Sequence, residues 1–326
     1  MEFIRGLHNL KPRHRGCVAT IGNFDGVHLG HQAVIGQLAD EGQRLGLPAA
    51  IVLFEPQPQE FFQPDKAPPR LTRLREKLQA LRRFAVDRVL CLRFDRAFAA
   101  LAAEEFIRRI LIEGLSVRYL VVGDDFRFGA NRRGDFAMLQ AAGGRHGFQV
   151  VNMHTVAIDG ERVSSTRVRV ALAAGDLAAA EKLLGRPYRM CGRVAQGDKR
   201  GRILGFPTAN IHLHRQNTPL RGVFAVEVFG LKQEPLAGVA NIGTRPTVAG
   251  TRTLLEVHLL GFNADIYGAY VHVNFLHRLR DEKRFASLDE LKARIAQDVE
   301  EARAFFAKYH PHDSTQRRDN RKEILK

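Results

Sequence analysis

The chain has 326 residues, which is long for a single domain and predicts two domains of ordinary size. Its net charge of +15 at pH 7 predicts acidic partners such as nucleotides, nucleic acid or an anionic membrane surface, and charge alone does not choose among them. The three cysteines, Cys17, Cys91 and Cys191, are far apart, which argues against a disulfide framework or a zinc site. No apolar run approaches membrane length and the first residues do not resemble a signal peptide, so we expect a soluble, cytoplasmic protein.

The first strong pattern is an apolar strand followed by a glycine and a helix, in the stretch TIGNFDGVHLGHQ (20–32). Gly22 permits the tight turn that a buried parallel strand needs before its helix. Ligands of open α/β sheets bind at this edge, where a helix N-terminus also attracts phosphate. His28 and His31 are three residues apart, so a helix that begins near His28 puts both imidazoles on one face, and Gly30 is expected to leave room for a bulky ligand.

Two histidines at this spacing are common by chance as surface or capping residues, and no cysteine or carboxylate cluster nearby supports a metal site. The complete order of strand, glycine, Phe-Asp-Gly and His-Leu-Gly-His is more specific. It resembles the HxGH nucleotidyltransferases, and the longer form GNFDGVHLGH resembles the adenylyltransferase half of the bacterial bifunctional riboflavin kinase and FAD synthetase family. The resemblance implies that His28 and His31 are catalytic and that Gly22, Phe24 and Gly30 belong to an ATP site.

Apolar strands and helical segments then alternate along the chain. Helices are predicted near 31–45, 71–84, 104–115 and 135–145, and strands near 49–56, 88–92, 119–123 and 148–153. This alternation predicts βαβ crossovers and hence a parallel sheet that is covered on both faces. The many arginines of segments such as LTRLREKLQALRRF (71–84) are assigned to solvent-exposed helix faces.

The loop GDDFRFGANRRGD (123–135) combines carboxylates, aromatic rings and arginines. A plain exposed loop rarely carries two phenylalanines beside so much charge, so a binding loop is favoured. The family has a similar GxDFRFG segment in its flavin-adenylating domain. The resemblance implies that Asp125, Phe126 and Phe128 bind the flavin.

Hydroxyl groups precede an arginine at the next predicted helix start, in VSSTRVRVALAAGD (163–176). Hydroxyl donors, a guanidinium group and a helix N-terminus suit triphosphate oxygens, although an ordinary N-cap would explain the hydroxyls as well. With HLGH upstream, this segment resembles the second phosphate-binding segment of the nucleotidyltransferases. The resemblance implies that Ser165, Thr166 and Arg167 bind ATP.

The sequence changes character after a short predicted helix (176–184) and a linker-like Gly185. Short β-rich runs follow, near 190–195, 222–229, 236–242, 253–260 and 269–275. Regularly spaced short strands without long helices favour an antiparallel barrel. A last helix (287–309) is predicted to pack an apolar stripe on this barrel; the stripe consists of Leu288, Leu291, Ile295, Val299 and Phe306.

The predicted fold class is therefore α/β plus β, with an N-terminal Rossmann-like domain followed by an antiparallel β-barrel and a C-terminal helix. The predicted boundaries are 1–184 for the adenylyltransferase domain and 185–310 for the barrel domain. Residues 311–326 are predicted to form a disordered basic tail.

A second candidate phosphate site lies in GRVAQGDKRGRILGFPTAN (192–210). Its glycines and basic residues suit a loop that closes over phosphates, but the strand-loop-helix form of a Walker motif is missing. A Pro-Thr-x-Asn sequence alone is an ordinary turn, yet its two oxygen donors are of the kind that Mg²⁺ takes together with phosphates. The full string resembles the PTAN signature of riboflavin kinases. The resemblance assigns ATP binding to Gly197, Lys199, Gly201, Thr208 and Asn210, and Mg²⁺ binding to the last two.

Two further segments, GVANIGTRPT (238–247) and LEVHLLGFNADIYG (255–268), also resemble the riboflavin kinases and make Glu256 the catalytic base. Without the resemblance, a carboxylate between apolar neighbours on a strand would simply face solvent. The family implies a bifunctional enzyme that phosphorylates riboflavin to FMN with ATP and adenylylates FMN to FAD with release of pyrophosphate. The expected partners are flavins and ATP, without nucleic acid or membrane, in a monomer or weak homo-oligomer.

Two alternatives stay open. A nucleotide-binding domain fused to an RNA-binding barrel would explain the charge, but it predicts aromatic residues interleaved with basic ones, whereas Phe224, Val226 and Val228 alternate like core residues. The other alternative is a single-activity transferase that acts on another phosphorylated acceptor and has a degenerate barrel. The chain has no Trp, so stacking on the flavin ring falls to Phe or Tyr residues that the sequence does not single out.

Overall fold

The computed structural model describes residues 1–123, 125–153, 155–196, 205–215, 217–247 and 250–309, with only the backbone described at 244–247 and 250–252. The chain divides into two compact units. The first contains Met1–Pro68 and Thr72–Ser164, and the second contains Pro69–Leu71 and the described residues from Ser165 onward. The predicted basic tail lies outside the described residues.

The first unit is built on a parallel sheet. Within the described residues it has six strands: β1 (Glu2–Arg5), β2 (Cys17–Ile21), β3 (Ala49–Glu55), β4 (Arg88–Arg93), β5 (Val117–Val122) and β6 (Gln149–Asn152). Their order is β1-β4-β3-β2-β5-β6. The chain moves outward in one direction from β2 to β3 and β4, and in the other direction from β5 to β6. The switch point between β2 and β5 is therefore the place where such a sheet binds ligands, at the carboxyl ends of its strands.

Helices cover both faces of this sheet, as the alternation predicts. They are α1 (Leu29–Leu45), α2 (Pro58–Phe62), α3 (Leu74–Leu81), α4 (Arg96–Ala99), α5 (Ala103–Phe106), which continues as a π-helix (Ile107–Gly114), and α6 (Phe136–His146). Successive residues of β3 point to opposite cores: Ile51 packs in the cluster that contains Leu81 of α3, and Val52 packs in the cluster that contains Phe106 of α5. A short hairpin, β7 (Ala157–Ile158) and β8 (Glu161–Arg162), completes the unit.

The second unit begins with two helices, α7 (Ser165–Ala174) and α8 (Leu177–Leu184). Within the described residues, six antiparallel strands then close into a barrel in the order β10-β13-β12-β11-β14-β9. They are β9 (Tyr188–Ala195), β10 (Thr208–His212), β11 (Gly222–Phe229), β12 (Leu236–Thr247), β13 (Gly250–Leu259) and β14 (Tyr270–Arg280), followed by helix α9 (Leu288–Lys308). The predicted fold class is confirmed, and β10 is a strand that the sequence analysis did not identify.

The barrel has an apolar interior and a helix on its outer surface. Phe224 and Val226 are fully buried, as their alternation predicts. On the outer surface, Val299 and Ala302 of α9 pack with Val223 and Val239. The predicted stripe on α9 was wrong at one end, because Leu288 is 70% exposed. No helix in the described part of the chain is long and apolar enough to span a membrane.

Candidate active sites

The loop between β2 and α1 presents two stacked histidines. His28 is the N-cap of α1, and its Nδ1 accepts a hydrogen bond of 3.4 Å from the backbone N–H of His31. The ring centroids of His28 and His31 are 3.7 Å apart and the ring planes differ by 20°. An accepting Nδ1 places the proton of a neutral His28 on Nε2. The two imidazoles therefore lie beside the first turn of α1, where unpaired backbone N–H groups favour phosphate.

The surroundings of His31 keep its imidazole neutral. Its ring packs against Phe24, at 4.8 Å between centroids, and its buried Nδ1 has no hydrogen-bond partner among the described residues. Burial is the largest cause, and electrostatic interactions with His28, Lys77 and Arg162 add to it; together they lower the pKa of His31 well below the usual 6.5. At neutral pH the group that meets a ligand here is therefore a neutral imidazole.

Two glycines in this loop lie against other parts of the chain. A Cβ atom at Gly30 would lie 3.2 Å from the His28 ring and 3.3 Å from the carbonyl oxygen of Val163. The space beside Gly30 is thus filled by the chain itself, which corrects the expectation that this glycine leaves room for a ligand. At Gly22 a Cβ atom would lie 3.1 Å from the Phe24 ring, so this glycine lets that ring cover the end of β2.

The predicted flavin residues lie in the loop after β5, the strand next to β2 in the sheet. Phe126 stacks on Phe128 with 5.6 Å between ring centroids and 20° between planes. Phe128 is buried, so its ring supports Phe126 from the core, whereas Asp125 is exposed. The Asp125 carboxylate lies 3.7 Å from the guanidinium group of Arg162. Of the residues assigned to the flavin, Asp125 is therefore exposed and Phe126 partly exposed to a ligand.

Further phenylalanine rings continue this packing along the carboxyl edge of the sheet. Phe54 is the last residue but one of β3, and Phe94 directly follows β4, so both rings lie near that edge. The rings in ring-to-ring contact with one another are Phe54, Phe61, Phe62, Phe94, Phe98, Phe106, Phe126 and Phe128. Phe62 is 61% exposed. Sequence reasoning missed this cluster, although the position of two phenylalanines at strand ends was a usable signal.

Ser165, Thr166 and Arg167, which the sequence analysis assigned to ATP, form the first turn of α7 in the second unit. Ser165 and Arg167 are partly buried and Thr166 is exposed. A helix of ten residues begins here, as the hydroxyl-rich segment predicts.

Strand pairing brings together several residues that lie far apart in the sequence and that the sequence analysis assigned to the kinase. Asn210 of β10 is directly opposite Glu256 of β13, and Thr208 is opposite His258. On the other side of β13, Asn241 of β12 is also opposite Glu256. Directly opposed side chains share one face at roughly 5 Å between Cβ atoms. A row of oxygen-bearing side chains therefore crosses three strands, with Glu256 in the middle.

This row lies on the outer face of the barrel. Leu255 and Val257 are buried in the interior, so the alternate residue Glu256 points the other way, and it is only partly buried. Sequence reasoning did not single out Asn241, whose buried Oδ1 has no hydrogen-bond partner among the described residues. Its place beside Glu256 follows from strand register, which the sequence does not encode locally.

The metal site expected at Thr208 and Asn210 fits this geometry. Residues two apart on a strand present their oxygen atoms on one face, which suits a hard cation that completes its shell with phosphate and water. The described residues contain no group of three or more His, Cys, Asp or Glu side chains that would hold a metal without such help. Gly197, Lys199 and Gly201, which were assigned to ATP, lie outside the described residues.

Comparison with known proteins identifies the family of both parts of the chain. A family model described as FAD synthetase matches residues 10–167, and one described as riboflavin kinase matches residues 184–306. The bifunctional riboflavin kinase/FMN adenylyltransferase of Escherichia coli strain K12 is 57% identical over 312 residues, which cover 95% of this chain and 100% of that protein. The protein of the same name from Pseudomonas fluorescens is 54% identical over 308 residues, covering 94% of this chain and 98% of that protein.

A solved structure extends the likeness to the fold. A crystal structure described as a macrolide-efflux protein from Streptococcus pneumoniae has a TM-score of 0.78 and 30% identity, and the match covers 93% of this chain and 99% of that chain. The two family models together span most of the sequence in the order of the two units. This chain therefore belongs to the family of bifunctional riboflavin kinases and FMN adenylyltransferases.

Proposed function

We propose that the two activities of this enzyme use separate sites, one at the sheet edge of the first unit and one on the barrel of the second. The chain phosphorylates riboflavin to FMN with ATP and adenylylates FMN to FAD with release of pyrophosphate. The observation that carries the division is that His28 and His31 stack at one helix start, whereas Glu256 is paired with Asn210 on the barrel.

For adenylyl transfer we assign the charge-stabilising role to His28 and His31. The phosphate of FMN attacks the α-phosphorus of ATP, one P–O bond forms, and the bond to the departing pyrophosphate breaks, so no protein nucleophile is needed. The imidazoles beside the N-terminus of α1, with His31 neutral, donate N–H groups to the phosphate oxygens as negative charge builds on them. Gly22, Phe24 and Gly30 shape this loop, and Ser165, Thr166 and Arg167 are proposed to bind ATP on the strength of the family resemblance.

The flavin is proposed to bind along the phenylalanine cluster at the same sheet edge. Phe126, backed by the buried Phe128, offers a ring edge, and the exposed Asp125 offers an acceptor for ring N–H groups. Phe62 is the most exposed ring of the cluster and the best candidate for stacking on the isoalloxazine.

For the kinase step we assign Glu256 as the base that takes the proton of the ribityl 5′-hydroxyl. The hydroxyl oxygen then attacks the γ-phosphorus of ATP and ADP leaves. Thr208 and Asn210 would hold Mg²⁺, which when bound neutralises charge on the phosphates. The adjacent position of Asn210 and Glu256 across β10 and β13 supports this assignment.

Reciprocal variants test the division. We expect His31→Ala to lower FAD formation by roughly a hundredfold or more and to leave FMN formation unchanged, because only one site loses its charge-stabilising group. Conversely, Glu256→Gln should stop FMN formation and still convert supplied FMN to FAD. Both products are separated and quantified from the same reactions with riboflavin or FMN, Mg²⁺ and ATP. Equal loss of both products in a folded single variant would contradict separate sites.

We also infer a cytoplasmic location, because ATP and flavins are its substrates and its three cysteines are buried thiols. A monomer or weak homo-oligomer that does not bind nucleic acid remains our proposal for its assembly state. Sedimentation of the purified chain with and without RNA tests both points.

A further inference from the structure

Lys77 is a fully buried lysine in the first unit. It lies in α3 on the same face as the buried Ala80 and Leu81, and none of its surface is exposed. Its ammonium group donates a hydrogen bond of 2.5 Å to the backbone carbonyl of Asn23. A buried ammonium group is strongly unfavourable unless it is bonded in place, so this contact helps to hold the side chain. Asn23 lies in the loop that leads to His28.

That loop has an unusual backbone conformation. Phe24 has φ +47° and Val27 has φ +45°, both in the left-handed region that L-residues with a side chain rarely adopt. The conformation is least favourable for a β-branched residue such as Val27. Such conformations persist when surrounding groups hold them, and they are concentrated at functional sites.

Thr72 holds the middle of the same loop. Its backbone N–H and its hydroxyl lie 2.9 Å and 3.2 Å from the carboxylate of Asp25, and both donate to it. The hydroxyl oxygen also accepts a hydrogen bond of 2.9 Å from the backbone N–H of Gly26. Asp25 and Thr72 are both buried, so these bonds form away from competing water.

We propose that Lys77 and Thr72 are positioning residues for adenylyl transfer, which together hold the strained loop of residues 23–27 so that His28 and His31 are presented as a stacked pair. This inference rests on the catalytic role proposed for the histidines. Both side chains are buried beneath the loop, so they act through the histidines rather than on substrate.

The charge of Lys77 acts on His31 as well. Lys77 is one of three neighbours of His31, together with His28 and Arg162, whose electrostatic interactions add to burial in lowering the pKa of His31. Removal of the ammonium group is therefore expected to raise the pKa of His31. A lysine that only filled the core would affect stability without this change at the histidine.

Lys77→Met removes the ammonium group and keeps the length and apolar stem of the side chain. Arg75→Met is the matched control, because it removes one positive charge from an exposed position of the same helix. In Lys77→Met we expect kcat for FAD formation from FMN to fall about tenfold or more, with KM for FMN within about twofold, because the imidazoles lose their alignment with the phosphates. Riboflavin phosphorylation by the same molecules should be unchanged, and Arg75→Met should match the parent chain in both reactions.

NMR of histidine-labelled protein gives a readout that a purely structural role would not move. The His31 resonance, assigned with a His31→Gln variant, should titrate at higher pH in Lys77→Met than in the parent chain and should not move in Arg75→Met. A folded Lys77→Met variant with parental kcat and an unmoved His31 titration would overturn the inference.

Thr72 provides a second test that does not depend on how well Lys77→Met folds. Thr72→Val keeps the shape and removes the hydroxyl, and we expect the same fall in kcat for FAD formation. Thr72→Ser keeps the hydroxyl and should retain most of the activity. Parental kcat in Thr72→Val would overturn the inference. If His31→Ala also kept FAD formation, the proposed function would fail; if only the Thr72 and Lys77 variants did, the positioning role alone would fail.

Discussion

His31 shows how the surroundings of one side chain set its protonation state. A histidine in an unfolded chain binds a proton near pH 6.5, whereas burial, with electrostatic interactions from His28, Lys77 and Arg162, keeps the folded His31 neutral well below that pH. The unfolded state therefore binds more protons at this position as the pH falls below 6.5. Stability contributed at this site is present above pH 6.5 and is lost as the pH falls toward the lowered pKa.

This linkage predicts a measurable difference between the parent chain and His31→Gln. Between about pH 7.5 and about pH 5.5, the parent chain should lose roughly 1 kcal/mol more of its free energy of unfolding than the variant, since a full difference of one proton is worth about 1.4 kcal/mol per pH unit. Urea unfolding of both proteins at the two pH values, followed by a probe of the first unit, measures it. Equal losses would mean that the pKa of His31 is not lowered in the folded protein.

Individual residues were predicted unevenly from the sequence. The spacing of His28 and His31 predicted a shared helix face, and their stacked rings confirm it. The sequence analysis assigned the arginines of the segment 71–84 to solvent and did not consider Lys77, which is buried. Its spacing of three and four from Ala80 and Leu81 was the usable signal, because it places Lys77 on the apolar face.

Elements with strong local patterns were predicted, and elements that depend on their neighbours were not. The strand predicted near 88–92 is β4, and the helix predicted near 135–145 is α6. β10 was missed because Thr-Ala-Asn-Ile-His has little strand propensity of its own and is stabilised by pairing with β9 and β13. That pairing also puts Asn210 next to Glu256, so the proposed kinase site depends on strand register.

The sequence predicted a helix near 104–115 but not which type of helix forms there. The structure has α5 followed by the π-helix Ile107–Gly114, in which the backbone N–H of Leu115 donates to the carbonyl of Ile110, five residues earlier. Over eight residues an apolar pattern does not distinguish this wider spiral from an α-helix. Its existence as a helix was predictable and its type was not.

Helix α9 is joined to the barrel by a buried ion pair. The carboxylate of Asp298 accepts hydrogen bonds of 2.8 to 3.0 Å from the guanidinium group of Arg280 on β14, and Arg294 lies 3.0 Å from the same carboxylate. Asp298 is almost fully buried, whereas both arginines keep partial solvent contact. Loss of the carboxylate would leave two guanidinium groups without it in a largely buried place.

We therefore expect Asp298→Ala to lower the free energy of unfolding of the second unit by about 3 kcal/mol, the lower end for breaking a buried ion pair. Glu300→Ala is the control, because Glu300 pairs with Arg303 on the exposed side of the same helix, and it should cost less than about 1 kcal/mol. Urea unfolding of each variant, followed by the fraction of FMN-forming activity that remains, measures both changes in the free energy of unfolding. Similar small losses would show that packing of Val299 and Ala302 alone holds the helix.

At the scale of the whole molecule, the order of the two halves was predictable because each half carries its own motifs. The exact membership of each unit was not. Pro69–Leu71 belongs to the second unit, where the hydroxyl of Tyr188 donates to the carbonyl of Leu71 and the guanidinium group of Arg215 donates to that of Arg70. Contacts between residues more than a hundred positions apart leave no local pattern in the sequence. The predicted boundary between 184 and 185 remains a prediction.

Separate sites make a prediction for mixtures of single-site variants. Neither proposed reaction forms a bond to the protein, and FMN is both the product of one reaction and the substrate of the other. His31→Ala should therefore release FMN that Glu256→Gln can bind and adenylylate. When the mixture is given riboflavin, Mg²⁺ and ATP, it should form FAD after a lag while FMN accumulates. Neither variant alone should carry out both reactions.

The double variant His31→Ala/Glu256→Gln separates this exchange from other effects of mixing. Combined with His31→Ala it should give only FMN, and combined with Glu256→Gln it should give neither product. The FAD rate in the productive mixture should rise with added Glu256→Gln until FMN supply limits it, because the intermediate travels through solution. FMN accumulation without FAD, from variants that are each active on their own substrate, would mean that FMN must pass between the two sites of one molecule.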